Sequence, residues 1–282
     1  MNQSDRLPAA YDVVAHLTFI VPQAHKPRFE SAALTGGEPR IHFATERREV
    51  VIHDARAVAD SLSLDGTGFE LHRHVSAVDD LDDDRAVDSV YRCELEALLR
   101  ELTGADRVGV FDFTRRSDAP HGAHNPDGAR GPASRVHVDY TVASGPKRAR
   151  DALGAHTVDR VLGGGGRIVQ VNVWRPTRGP VQRTPLALGD AASIAPGELV
   201  ATDQVFPDRV GEIYQVAWGA GQRWYWVPQM TRDEITLIKG WDSVDDGRAR
   251  FTPHGAFALP QQDPQAPPRE SIEARAYLIF EG

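Results

Sequence analysis

Strand-length runs of β-branched and aromatic residues outnumber helical ones in this chain, and that imbalance constrains its fold most. Residues 12–21 (DVVAHLTFIV), 49–53, 107–113, 135–141 (RVHVDYT) and 167–175 (RIVQVNVWR) are such runs. Residues 213–218, 222–227, 235–239, 255–259 and 271–280 are further ones. Many short strands at close spacing must curl or stack, because open sheet edges invite pairing with other chains. A barrel or jelly roll is therefore expected.

Two helices are expected beside the strands. In 82–102, Val87, Val90, Tyr91, Leu95, Leu98, Leu99 and Leu102 recur at helical spacing. Its acidic start at 79–84 suits the positive end of a helix dipole and lacks the glycine and terminal glutamate of a calcium loop. Cys93 falls among the apolar positions and reads as a small core residue. The second helix, 145–162, has Ser144 as its N-cap candidate. It runs into the four glycines 163–166, which come after a helix and precede a strand. That is the reverse of a phosphate loop, so they read as a turn.

With 282 residues, the chain suits one large domain or two small ones. We read 1–282 as a single domain, with 1–105 an α+β elaboration wrapped onto a β core at 106–282. A formal net charge of −8 argues against a nucleic-acid or anionic-membrane footprint. Residues 1–10 show no basic-then-apolar leader pattern, and no apolar run reaches membrane-spanning length. The single cysteine excludes an internal disulfide and a cysteine-based zinc cluster, and fits a reducing, cytoplasmic setting.

Position and company must select among eleven histidines. His137 and Asp139 stand two apart in an expected strand, so their side chains share a face. His254 opens another apolar strand. Two histidines and one carboxylate on one side of a metal leave open positions, the arrangement of non-haem Fe(II) oxygen chemistry. After the proline-rich loop 260–268, Arg269 and Ser271 form a charged fork plus a hydroxyl that could clamp a carboxylate such as the distal one of 2-oxoglutarate. Arg275 shares their face and could meet cosubstrate or substrate, or pair with Glu273. Asn172 and Trp174 alternate on one face of 167–175, with Arg175 on the other. Asn172 orients cosubstrate or substrate, or is a satisfied core amide. Tyr140, Trp218, Trp224 and Trp226 read as core before pocket lining. His121 and His124, in the segment PHGAHNPDG, read as a loop beside the site before a second metal centre.

The runs RIVQVNVWRPTRGPVQRTP (167–185), LIKGWDS (237–243) and PHGAFALP…PPRESIEARAYLIF together, with VIHDARAVADSLSLDGTGF (51–69), resemble one family from about residue 50 onward. It is the Fe(II)/2-oxoglutarate oxygenase-like family of secondary metabolism. Its members include a cephamycin 7-methoxylation protein, a fungal gibberellin desaturase, fungal hydroxylase/desaturases and an aziridine-forming oxygenase. The resemblance implies a double-stranded β-helix, a cupin-like jelly roll that is mainly β with flanking helices. It implies iron on His137, Asp139 and His254, and 2-oxoglutarate on Arg269 and Ser271. With O2, such an enzyme hydroxylates, desaturates or cyclises a small natural-product intermediate, converting 2-oxoglutarate to succinate and CO2. Asp139 argues against a halogenase, in which that carboxylate is missing. The resemblance also leaves open a non-catalytic module working with a pathway partner protein, and the sequence leaves a homodimer open. A metal enzyme that uses no 2-oxoglutarate is a third reading.

Overall fold

A computed structural model describes residues 11–36, 39–126 and 128–282; the leader reading of residues 1–10 lies outside them. Among the described residues, fifteen strands form two sheets. The larger runs Val13–Ile20, Thr45–Asp54, Trp224–Trp226, Leu186–Gly189, His254–Ala256, His137–Val138, Val210–Val216, Leu199–Val205, Arg28–Glu30 and Arg40–Ile41, in spatial order. Bridges from Thr18 to Arg135 and from Ile20 to Ala217 bring its first strand back to its middle, so the sheet curls on itself. The smaller sheet runs Phe69–Arg73, Glu234–Asp242, Arg167–Pro176, Glu270–Phe280 and Arg107–Ser117. This is the expected jelly-roll architecture.

Alternation along the smaller sheet divides its labour. Val169, Val171 and Val173, with Leu237, Ala274, Ala276 and Leu278, point outward and pack on Tyr91, Leu95 and Leu99 of the long helical segment. Burying each such leucine contributes roughly 1.5–3 kcal/mol. The opposite, inward side of the same strands presents Gln170, Asn172 and Trp174, all buried. Both faces are therefore covered, the outer by apolar packing and the inner by buried polar and aromatic side chains.

The long helical segment starts where Asp83 accepts hydrogen bonds from the Arg85 and Ala86 amides, so the acidic start is a cap. It ends at Gly104, φ +69°, the left-handed position that favours glycine. Between Asp84–Ala86 and Arg92–Thr103 lies one π-helical turn, Val87–Tyr91. The wider turn shifts the apolar face from regular helical spacing. Val90 and Leu102 consequently stay substantially exposed. Cys93 is also exposed, which corrects its reading as a core residue.

Three local expectations change. The helix 145–162 is two helices, Ser144–Leu153 and Ala155–Gly163, parted at Gly154 with φ +82°. Their N-terminal hydroxyl is not Ser144 but Thr141, whose Oγ1 accepts from the amides of Ala143 and Ser144. That same turn explains why the run 135–141 keeps only the short strand His137–Val138 and a bridge at Arg135: the chain leaves the sheet to enter the helix. Strands of the N-terminal region join both sheets. Val13–Ile20 and Thr45–Asp54 form one end of the larger sheet, and Phe69–Arg73 edges the smaller. The glycines 163–166 form the helix-to-strand turn, with Gly165 at φ +82°. No helix of the described residues is long and apolar enough to cross a membrane.

Candidate metal centre

The centre is built on two very short strands. His137 pairs directly opposite His254, so residues remote in sequence become cross-strand neighbours with ring centroids 4.6 Å apart. Asp139 comes two residues after His137 and turns its carboxylate to the same side. Ligand atoms from His137, Asp139 and His254 lie within 4.8 Å of one another, the only such His/Cys/Asp/Glu group among the described residues.

Backbone carbonyls set the tautomer of both imidazoles. His137 Nδ1 lies 2.9 Å from the Arg135 carbonyl and His254 Nδ1 lies 3.0 Å from the Thr252 carbonyl. A carbonyl only accepts, so each Nδ1 carries the proton and each Nε2 presents a lone pair. Burial, and then the neighbouring His254, push His137 down to about 3, which keeps that ring neutral and ready to coordinate. Asp139 places Oδ1 3.6 Å from His137 Nε2. Its Oδ2 accepts from Asn172 Nδ2 at 2.9 Å and from Arg275 Nε at 3.0 Å. Burial opposes ionisation of Asp139, but Arg275 and the two histidines hold its carboxyl well below the usual carboxylate range.

The two arginines expected near the cosubstrate are in opposite states. Arg275 is saturated by acids: Asp112 at 2.6 Å, Glu273, and Asp139. Burial opposes its charge, yet those carboxylates hold it above the usual guanidinium range. Arg269 is only 3% exposed and its side chain contacts no acid among the described residues. Nη1 reaches the Thr184 carbonyl at 3.3 Å, while Nε and Nη2 are buried without a partner. Burial, and then Arg116, lower its pKa to about 10. Its guanidinium lies over the Trp174 ring. Ser271, also buried, reaches only the Arg116 carbonyl at 3.4 Å. A buried cation with two idle donors beside an underused hydroxyl is what a missing carboxylate would leave behind.

Residues outside the expectation complete the inner wall. Asp112, Thr114 and Arg116 face Arg275, Glu273 and Ser271 in turn across the sheet. Asp112 lies within the expected run 107–113, and the same alternation carries the face on to Thr114 and Arg116 because the strand continues to Ser117. Arg116 donates to the Gly131 carbonyl at 3.0 Å. Together with Ser271, Glu270, His124, Asp82 and Asp84 it borders a cavity of about 420 Å³. A second cavity of about 530 Å³, lined by Arg56, His72 and Arg73 among others, touches none of the expected site residues. Its Arg56 is occupied by Glu234.

The remaining candidates fall elsewhere. Trp224 and Trp226 are buried in the core of the larger sheet. Tyr140 packs with Trp241 and Tyr277, and Trp218 lies partly exposed under Arg48. Arg175 lies on the helix side over Tyr91.

Known proteins share both sequence and fold. A family model described as "Oxidoreductase/YMDC permease-like domain" matches residues 17–280. The Fe(II)/2-oxoglutarate-dependent dioxygenase nvfI of Aspergillus novofumigatus is 31% identical over 87% of this chain and 88% of that protein. The hydroxylase/desaturase efuI of Hormonema carpetanum is 31% identical over 88% of each. The alpha-ketoglutarate-dependent dioxygenase phiK, from a fungal species, is 32% identical over 83% of this chain and 84% of that one. Among solved structures, the iron and alpha-ketoglutarate-dependent endoperoxidase NvfI superposes with a TM-score of 0.84 at 28% identity, covering 97% of this chain and 100% of the other. With a family match along nearly its whole length and relatives above 30% identity over more than four-fifths of it, the chain belongs to the family of Fe(II)/2-oxoglutarate-dependent dioxygenases and hydroxylase/desaturases.

Proposed function

We propose that this enzyme oxidises a C–H position of a small natural-product intermediate, with iron held by His137, Asp139 and His254. In this reading, Arg269 and Ser271 take the distal carboxylate of 2-oxoglutarate. The observation that carries it is the buried, acid-free guanidinium of Arg269 on the same inner wall as the triad. A cupin-type metal enzyme without 2-oxoglutarate has no use for such a group, and leaving its donors unpaired is costly.

The charges of the wall fit the same reading. Arg116, Arg269 and Arg275 stand against Asp112, Asp139 and Glu273, three positive and three negative. A divalent cation and a dicarboxylate dianion entering together keep that balance. Iron with 2-oxoglutarate and O2 would supply oxidising power for C–H cleavage, at the expense of decarboxylating 2-oxoglutarate to succinate and CO2. The chain's own work is to hold neutral imidazole lone pairs inward, to fix the carboxylate, and to anchor the cosubstrate's far end in a water-poor wall. Hydroxylation, desaturation and ring formation diverge only after hydrogen removal, and substrate placement decides among them. The whole chain acts as one domain in this reading, the strands of 1–105 bracing the catalytic sheets.

The test is direct. The full chain incubated with Fe(II), ascorbate and 2-oxoglutarate should form succinate without added substrate, and His254→Ala should not. Absence of succinate from the unaltered chain, while Fe(II) is bound, would refute the 2-oxoglutarate assignment.

A further inference from the structure

Asp139 has two carboxylate oxygens, and only Oδ1 faces the imidazoles. Oδ2 is turned away and held twice, by Asn172 Nδ2 and by Arg275 Nε. Arg275 is itself immobilised. Its Nη1 donates to Asp112 Oδ2 at 2.6 Å and to Thr114 Oγ1 at 3.0 Å, and its Nη2 pairs with Glu273. These contacts result from register, since Arg275 faces Asp112 on one neighbouring strand and Asn172 on the other. All three guanidinium nitrogens are thus engaged by the protein.

We propose that Arg275 is a positioning residue for the metal, which together with Asn172 restrains Asp139 to offer Oδ1 alone. The proposal rests on the iron-oxygenase reading above and assigns within it a role distinct from cosubstrate binding. The physical reason concerns open positions. A two-histidine, one-carboxylate centre functions only if its other positions stay available. A carboxylate free to swivel can coordinate through both oxygens and consume a position that cosubstrate or oxygen needs. Two donors on Oδ2, one of them charged and braced by two acids, oppose that swivel. They also draw charge from the carboxylate, so Arg275 bears on the strength of coordination as well as its geometry.

Cobalt(II) is the probe, because its visible absorption reports coordination number without oxygen chemistry. It is titrated into the full-length wild type, Arg275→Lys and Asn172→Ser, and 2-oxoglutarate is then titrated at saturating metal. Lysine keeps the positive charge but loses the fork. We expect Arg275→Lys to weaken Co(II) binding by about 10- to 100-fold and to change the band intensity, with a smaller change in 2-oxoglutarate affinity. Asn172→Ser should change the spectrum in the same direction, and carries the test if Arg275→Lys does not fold. Unchanged Co(II) affinity and spectrum in folded variants would overturn the proposal, and so would a loss confined to 2-oxoglutarate affinity. Lower thermal stability with a wild-type Co(II) spectrum would reduce Arg275 to a cross-strand tie and overturn it as well. A wild type that binds no Co(II) would instead refute the metal reading itself.

Discussion

Replacing Arg269 by methionine should move stability and cosubstrate affinity in opposite directions. In the free protein the guanidinium is buried with Nε and Nη2 unpartnered and only a 3.3 Å contact from Nη1 to the Thr184 carbonyl. An unsatisfied buried polar group costs about 1–3 kcal/mol, and a methionine of similar length keeps the apolar contact with Trp174. Losing the weak Thr184 contact returns part of that gain, leaving a net stabilisation of about 1 kcal/mol or more. Free-protein Tm should then rise by about 2 °C or more. With 2-oxoglutarate bound the sign reverses. Losing a buried charge-assisted pair typically costs about 2–5 kcal/mol, so affinity should fall at least about 30-fold. Arg269→Lys should recover only part of this, since an ammonium lacks the planar fork. Thermal unfolding of the metal-free protein gives the first quantity. Anaerobic titration of 2-oxoglutarate into the Fe(II) protein, tracked by its visible charge-transfer band, gives the second. A variant that is less stable when free yet binds 2-oxoglutarate as the wild type does would refute the reasoning, because Arg269 would then be structural.

His137→Ala and Asp139→Ala should each abolish turnover while leaving far-ultraviolet circular dichroism unchanged; turnover in either would dismiss that ligand. Lys239→Met should destabilise by about 3 kcal/mol, the low end for breaking a buried pair, because Asp242 keeps Arg167; urea unfolding measures it. Acid should weaken the same cluster. Burial favours a protonated Asp65, but hydrogen bonds from Arg167 and Lys239 hold it at about 2, against 3.8 for a free side chain. Its folded pKa is lowered, so its stabilisation is complete above about 4 and is lost as pH falls toward 2. Wild type and Asp65→Asn should converge in stability over that window.

Local pattern determined a good deal. Period-two alternation put His137 and Asp139 on one face, and Asn172 with Trp174 on another strand's inner face, because side-chain direction in a strand depends on parity alone. The same logic marked most strands. It missed Arg28–Glu30, Arg40–Ile41, Phe69–Arg73, Leu186–Gly189 and Leu199–Val205, which are short or only partly buried and owe their place to their neighbours. The resemblance supplied the chemistry, and His254 entered through it and through a strand-opening position. Its position opposite His137 is a property of the sheet.

The partners of the arginines belong wholly to the tertiary structure. Arg269 and Arg275 lie on the same face of one strand and look equivalent in sequence. Arg275 falls opposite Asp112 and Asn172 in register and is spent on Asp139, while beside Arg269 the carboxylate of Asp118 takes the Arg269 backbone amide, Arg183 and Thr184 and leaves the Arg269 guanidinium unpaired. Cys93, the split at Gly154 and the π turn at Val87–Tyr91 obeyed the same rule. Each depended on which surface packed against it, and a one-dimensional period carries no information about what lies across a sheet or under a helix.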